Sequence, residues 1–461
     1  MILEQHYLAC LSHASYFIGD PTSGRAVVVD PQRDIQRYLD AAAKHGLAIT
    51  DVALTHFHAD FLAGHLELAA ATGARIHLGA KARADFDFHP WKDGAALELG
   101  AVRLVALETP GHTPEGISIL VFDLAHDAQH PKAVLTGDTL FIGDVGRPDL
   151  MASVGVTAEE LAGSLYDSLH GKILPLPDDT IVYPAHGAGS ACGKALSNET
   201  SAPLGQQRKS NYALQPMPRD EFIRLITADQ PSAPAYFSFA ADRNKRARPT
   251  LDAVLARVLV PLAPRDVAAR MAAGALAIDT RPADAFAKGH LRGAVNIGLD
   301  GKFATWVGSL VKPSTDLVLV AEPGTERETA ERLGRIGFDR IQGYAEGGAR
   351  ALADAGLPQA FWQRIEPKQL ESALQGPQPP LVLDVRAAGE WRDGHVDGAL
   401  HVPLDQLEAR IGEIPKGRTL AVMCRSGYRS SIAASLLARA GHTDLIDVAG
   451  GWVAWAGACA R

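Results

Sequence analysis

Cysteine is scarce in this sequence. Only 4 of its 461 residues are cysteine, at Cys10, Cys192, Cys424 and Cys459, with no regular spacing. That excludes a disulfide-stapled scaffold and suits a reducing compartment, because framework cysteines come as closely spaced even sets. Long apolar runs are also missing: none reaches the roughly 18 residues that a membrane span needs. Met1 to Asp20 has no basic start before an apolar run, so no secretory leader is expected. Nor is there an excess of basic residues. Lys plus Arg number 45 against 53 Asp plus Glu, a net charge of -8, which is the wrong balance for a nucleic-acid binder. The expectation is a cytoplasmic protein with neither a membrane nor a nucleic-acid partner.

The composition, 47% apolar and 21% charged, is that of a globular chain. At roughly 100 to 200 residues per domain, two to four domains are expected. The N-terminal part alternates short apolar runs with His- and Gly-rich loops. Ala26 to Asp30, Asp51 to Thr55, Val102 to Leu107, Ile117 to Phe122 and Ala133 to Thr136 read as buried strands. Arg33 to His45 and Asp60 to Thr72 read as helices. The His and Asp residues of interest fall just after strands, where an open α/β sheet presents groups to a crevice.

Ala241 to Pro249 (ADRNKRARP) is a basic, proline-terminated run, and Pro261 and Pro264 follow it. This texture predicts a linker, placed at 246–262. Beyond it lies an internal repeat. IDTRPADAFAKGHLRGAVNI, from Ile278, aligns with LDVRAAGEWRDGHVDGALHV, from Leu383. Asp279 matches Asp384, Arg281 matches Arg386, and Gly347-Gly348 matches Gly450-Gly451. Two copies are too few for a solenoid. Each copy alternates strand and helix, which implies a parallel sheet. The expected domains are 1–245, 263–360 and 364–461.

The densest chemistry is Thr55 to His65, THFHADFLAGH. His56, His58 and Asp60 sit at alternate positions, so in an extended segment their side chains share one side and can converge on an ion. His112 (in TPGHTP), Asp138 (in LTGDTLFIGD) and His186 (in YPAHG) follow, each in a Gly-containing turn after a strand. One such loop is unremarkable, whereas four in succession point to a metal site.

These four motifs, in this order, resemble the metallo-β-lactamase superfamily. The resemblance implies an αββα sandwich with the metal at one edge of the sheets. Dinuclear hydrolases of that superfamily follow HxHxD directly with a further His, and here that position is Phe61. A single metal held by His56, His112 and Asp138 would have the two-imidazole, one-carboxylate set of non-haem Fe(II) oxygenases, with open positions left over. The run Gly137 to Leu150 and the pairing of YPAHG with AGSACGK further resemble the persulfide dioxygenase branch. That resemblance implies one Fe(II) per chain on His56, His112 and Asp138. It also implies that His58, Asp60 and His186 line the site without holding a second ion. Arg147, in the loop after Asp138, is expected to bind an anionic persulfide or a thiol carrier's carboxylate. Cys192 is expected to be a buried, inert thiol.

Near the C-terminus, Thr419 to Ser431 reads TLAVMCRSGYRSS. An apolar strand ends at Cys424, a glycine-containing loop follows, and Ser430 opens a helix. A thiol at a helix N-terminus, beside Arg425 and Arg429, is favoured as thiolate, and the same cradle would hold a persulfide anion. The six-residue loop from Cys424 to Arg429 resembles the rhodanese (sulfurtransferase) active loop. A Cys-x5-Arg phosphatase loop is one residue longer. Asp384 and Arg386 are expected to be a structural ion pair. The middle copy has the frame but no thiol: Leu317 to Ala321 runs into Glu322-Pro323-Gly324-Thr325-Glu326. It should be inert, a spacer or interface element. Cys10 and Cys459 have no motif around them.

The expected fold class is therefore α/β: an αββα sandwich followed by two doubly wound rhodanese domains. The expected function is dioxygenation of a low-molecular-weight thiol persulfide by O2 to sulfite, in sulfide detoxification. Cys424 would form or use thiosulfate, and the superfamily resemblance makes a homodimer or higher oligomer the expected assembly. One alternative is a zinc thioester hydrolase resembling glyoxalase II, with a sulfur-carrier tail. Another is a non-enzymatic sulfur carrier or sensor.

Overall fold

A computed structural model describes residues 1–150, 155–230 and 232–459, with side chains through 458. The chain forms two compact units. One is Met1–Ala253 with Gly334–Gly337, and the other is Val254–Leu333 with Phe338–Arg461.

In the first unit two six-stranded sheets face each other. Strands Ile2–Leu8, His13–Asp20, Arg25–Val29, Ala48–Ala53, Arg75–Gly79 and His89–Trp91 lie side by side in chain order. The second sheet runs Ala202–Pro203, Ile181–Pro184, Ala133–Gly137, Ile117–Asp123, Val102–Glu108, Ala96–Glu98. Alternation along the strands fills the space between them. Tyr16, Ile18, Val27 and Val29 from one sheet meet Leu104, Ile119, Val121 and Leu135 from the other. Val134, Leu120 and Val182 point the opposite way and pack under Leu165 of helix Ala158–Ser168 and Phe222 of helix Arg219–Thr227. This is the expected αββα sandwich.

Two helices start later than their periodicity suggests. The first spans Gln36–His45 and the second His65–Thr72. Asp60 to Gly64 is not helical because tertiary partners capture its backbone. Asn244 Nδ2 donates to the carbonyls of His58 and Phe61, both at 2.8 Å, and Ala63 N–H donates to Asn244 Oδ1 at 2.9 Å. Asn244 belongs to the basic run and is fully buried at the end of helix Phe237–Asn244. The expected linker 246–262 contains helix Leu251–Val258 and edge strand Pro261–Leu262, which pairs with Tyr344 and Ala345.

The second unit holds the two repeat copies. Each has a five-stranded parallel sheet. The middle order is Pro261–Leu262, Ile341–Ala345, Leu317–Val320, Leu276–Asp279, Val295–Asn296. The C-terminal order is Gln363–Ile365, Leu445–Val448, Leu420–Met423, Leu381–Asp384, Leu400–His401. The two orders are the same, first–fifth–fourth–second–third along the chain, so the sequence repeat is a repeat of topology. Among the described residues no helix is long and apolar enough to cross a membrane.

Candidate metal centre and thiol loop

The metal-type residues converge at one end of the sandwich. Ligand atoms of His56, His112 and Asp138 lie within 4.8 Å of one another, and all three side chains are buried. Nε2 of His112 stands 3.4 Å from Asp138 Oδ2, and Nε2 of His56 stands 3.8 Å from it. The opposite nitrogens are all engaged. His112 Nδ1 meets the Arg147 carbonyl at 2.8 Å, and His186 Nδ1 meets the Ser12 carbonyl at 3.1 Å. A carbonyl only accepts, so both Nδ1 atoms carry the proton and both Nε2 lone pairs face inward. His56 Nδ1 lies 3.0 Å from Thr55 Oγ1, whose hydroxyl donates to Asp30 Oδ2 at 2.8 Å. That fixes the same tautomer for His56. Burial, with His58 and His112 close by, holds His56 well below the ordinary imidazole range, which keeps it a neutral donor.

These residues fit a cation. Both carboxylate oxygens of Asp138 are buried and have no hydrogen-bond partner, an arrangement costly for a carboxylate unless a positive centre faces it. A cavity of ≈ 10 Å³ opens beside His56, His112 and Asp138, walled also by Thr113 and Thr139.

His58 is held differently. Its Nε2 lies 3.1 Å from Asp30 Oδ1. Burial works to lower its pKa, and the Asp30 carboxylate, with Asp60 and Asp138, outweighs burial and raises it. The Phe61 ring is buried 4.4 Å from the His58 ring and 4.0 Å from that of His13. His58, Asp60 and His186 still form a second cluster with ligand atoms within 4.8 Å, and Asp138, His186 and Cys192 form a third. Burial, then the Asp138 and Asp60 carboxylates, push the Cys192 thiol well up, so it stays protonated.

Arg147 is not a free cation. It is 1% exposed, forms a two-bond pair with Asp149 (both 2.7 Å) and donates to the Ala191 carbonyl at 3.1 Å. The guanidinium expected to bind a substrate anion is here engaged by Asp149, two residues on. Three supports went unread in the sequence: Asp30 behind Thr55 and His58, Asn244 behind the HxHxD loop, and buried His13 among the site rings.

In the C-terminal copy Cys424 follows strand Leu420–Met423 and is 1% exposed. The Gly427 N–H donates to Cys424 Sγ at 3.1 Å, and Ser430 Oγ lies 3.6 Å from it. Gly427 has φ +93° and caps the helix, which begins at Tyr428, two residues before Ser430. A side chain at Gly427 would strain the backbone and strike Arg364 Nη2, 2.7 Å from the ideal Cβ position. Arg425 is exposed, and Arg429 is held by Glu390 through two bonds of 2.7 Å.

The middle copy superimposes on this logic by register. Asp279 pairs with Val320 as Asp384 pairs with Met423, so Ala321 stands where the other copy has Cys424. Gly324, φ +95°, corresponds to Gly427, but its N–H donates to the Glu326 carboxylate at 2.8 Å. The Asp–Arg pair is present in both copies. Arg281 Nη2 to Asp279 is 2.7 Å and Arg386 Nη2 to Asp384 is 2.6 Å, and each arginine also donates to a carbonyl, of Gly289 or Gly394.

Comparison with known proteins agrees with this layout. Residues 8–186 match the Metallo-beta-lactamase superfamily, and 263–354 and 366–458 each match the Rhodanese-like domain. The mitochondrial persulfide dioxygenase ETHE1 of Mus musculus is 30% identical over 234 residues, 50% of this chain and 83% of that protein. A hydroxyacylglutathione hydrolase of Bradyrhizobium sp. is 32% identical over 240 residues, 51% of this chain and 82% of that protein. A solved metallo-beta-lactamase from Staphylococcus aureus subsp. aureus COL is 31% identical, with a TM-score of 0.67, covering 74% of this chain and 98% of its own. The chain therefore belongs to the metallo-beta-lactamase superfamily, as a homologue of the persulfide dioxygenases that also carries tandem rhodanese-like domains, the first without the loop cysteine.

Proposed function

We propose that the N-terminal unit is a mononuclear non-haem Fe(II) persulfide dioxygenase and that Cys424 is a sulfurtransferase thiol. Overall identity does not separate this reading from a hydrolase, since relatives of both kinds match at similar levels. The observation that carries it is local: Phe61 fills the position of a second-ion His, beside a His56–His112–Asp138 set with two unpartnered carboxylate oxygens.

His56, His112 and Asp138 would hold the ion, leaving positions open for the terminal sulfur of R–S–SH and for O2. Bound there, Fe(II) supplies the electrons that O2 activation needs, which zinc cannot. Thr55 and the carbonyl of Arg147 orient His56 and His112 through their Nδ1 protons. Asp30 holds His58 to one side. Asp60 and His186 line the site, and burial raises the Asp60 carboxyl, with His186 and His58 acting the other way. The Arg147 guanidinium is paired with Asp149, so any hold it has on a substrate anion is shared with that carboxylate. The balance is RSSH + O2 + H2O giving RSH + SO3²⁻ + 2 H⁺.

In the C-terminal copy the Cys424 thiolate takes the outer sulfur of RSSH and releases RSH (Cys–S⁻ + RSSH gives Cys–S–S⁻ + RSH), and the Gly427 N–H cradles the persulfide formed. Sulfite attacks its outer sulfur: Cys–S–S⁻ + SO3²⁻ gives Cys–S⁻ + S2O3²⁻, or the reverse. The domains are read as 1–245, 263–360 and 364–461, and the setting as cytoplasmic sulfide detoxification. Purified protein should contain about one iron per chain and consume O2 with glutathione persulfide. Activity supported only by zinc would overturn the dioxygenase.

A second reading is favoured by the His58–Asp60–His186 cluster, which could hold a second cation. It would make the unit a dinuclear hydrolase resembling glyoxalase II. Hydrolysis of S-lactoylglutathione with two zinc ions per chain would select that reading.

A further inference from the structure

The middle copy has no thiol, yet it is bonded to the loop that has one. Tyr428, the first residue of the helix after Gly427, donates its hydroxyl to the Gly298 carbonyl of the middle copy at 2.7 Å. Its ring lies over Gly301, where an added Cβ would sit 2.4 Å from Tyr428 Cζ. One turn on, Ser431 Oγ meets Asn296 Oδ1 at 2.6 Å, and the Asn296 N–H donates to Ser435 Oγ at 3.2 Å. All three of these side chains are buried. Beneath the loop, Arg364 bridges Asp284 of the middle copy and buried Asp447, both at 2.6 Å, and its guanidinium is what fills the space at Gly427. The thiol loop is thus clamped on both sides of Gly427, the residue whose N–H points at Cys424 Sγ.

We infer that the inert copy is the jig for the active loop, and that Tyr428 is a positioning residue through which Gly298 and Gly301 set the Gly427 N–H on the Cys424 sulfur. The inference rests on Cys424 as the sulfur-accepting thiol. The cradle is useful only if its donors are aimed in advance, because a donor that must reorganise during transfer gives up much of its benefit. Within its own copy the loop is held before Gly427, where the Trp452 and Val453 N–H groups donate to the carbonyls of Cys424 and Arg425 at 2.7 and 3.0 Å. Tyr428 sits immediately beside that glycine and is the shortest route by which a neighbouring domain can fix it.

The test uses the full chain and two substitutions that remove neither the thiol nor its direct donors. Tyr428→Phe keeps the ring and loses the hydroxyl anchor. Gly301→Ala lies in the middle copy and displaces the ring from the far side. Each is read by steady-state thiosulfate formation and by the pH profile of Cys424 alkylation by iodoacetamide, followed on its peptide by mass spectrometry. The expectation is a fall in kcat of about five- to tenfold, the size of one net hydrogen bond. KM should stay within about twofold, the alkylation profile should move to higher pH, and O2 consumption should be unchanged. The double variant should lose no more than the worse single one, because both act through the same ring. If both variants keep the wild-type kcat and alkylation profile, the jig is overturned. Failure of the underlying reading looks different: the unsubstituted protein would then transfer no sulfur at all.

Discussion

The middle and C-terminal copies of the rhodanese-like fold share a strand order, an Asp–Arg pair on a buried aspartate and a left-handed glycine at the same loop position. They part at the residues around that glycine. Ala321 replaces Cys424, Glu322 replaces Arg425 and Glu326 replaces Arg429. In one copy the glycine N–H faces a sulfur, and in the other it faces a carboxylate of its own loop. The frame and the chemistry are therefore separable. What both copies keep holds the sheet and helix together, and what only one keeps sets a backbone N–H on a thiol.

The shared part is tested first, with the largest expected effect. Arg281→Ala and Arg386→Ala should each cost about 3–5 kcal/mol, because each leaves a buried aspartate unpaired. Denaturant melts monitored by circular dichroism would check this. A loss confined to sulfur transfer in Arg386→Ala, with unchanged stability, would make the pair catalytic and break the comparison.

A smaller effect should mark only the C-terminal copy. Asp447, which Tyr344 replaces in the middle copy by strand register, is pushed up to about 6, chiefly by burial, with Arg364 and Ser430 acting the other way. The folded state thus holds this proton more tightly than the unfolded chain does. Its contribution is most favourable below the ordinary value of 3.8 and is lost as pH rises from there through about 6. Melts of wild type and Asp447→Asn across that range should show the gap between them shift against wild type by about 1–3 kcal/mol. A gap that does not vary with pH would contradict the assignment.

The smallest expected effect is none. Ala321→Cys, in a Cys424→Ser background, should not restore sulfur transfer, since the Glu326 carboxylate already occupies the Gly324 N–H and repels an anion. Restored thiosulfate formation would show that the thiol alone separates the copies.

Much of the site was legible because its residues sit in short motifs after strands. His56, His112, Asp138 and His186 come together as their separate loop motifs suggested, and the repeat announced a duplicated fold. What stayed hidden depends on partners far along the chain. Asn244 lies in the basic run that leads into the expected linker, yet it stops the helix after Asp60 from starting early. Asp30 reads as the end of a strand, and only the folded sheet sets it against Thr55 and His58. Arg147 and Arg429 were visible as cations near the candidate site residues, but Asp149 and Glu390, which engage them, could not be assigned by spacing alone. Nor could sequence place Tyr428 against Gly298, because that contact joins two copies of one fold.

The proposed function has one chain oxidise persulfide sulfur at its His–Asp site and transfer sulfur at Cys424. Its most direct test is the product balance of Cys424→Ser supplied with glutathione persulfide and O2. O2 uptake and sulfite formation should continue at the wild-type rate while thiosulfate formation disappears. Unchanged thiosulfate output, or loss of O2 uptake together with it, would contradict the account.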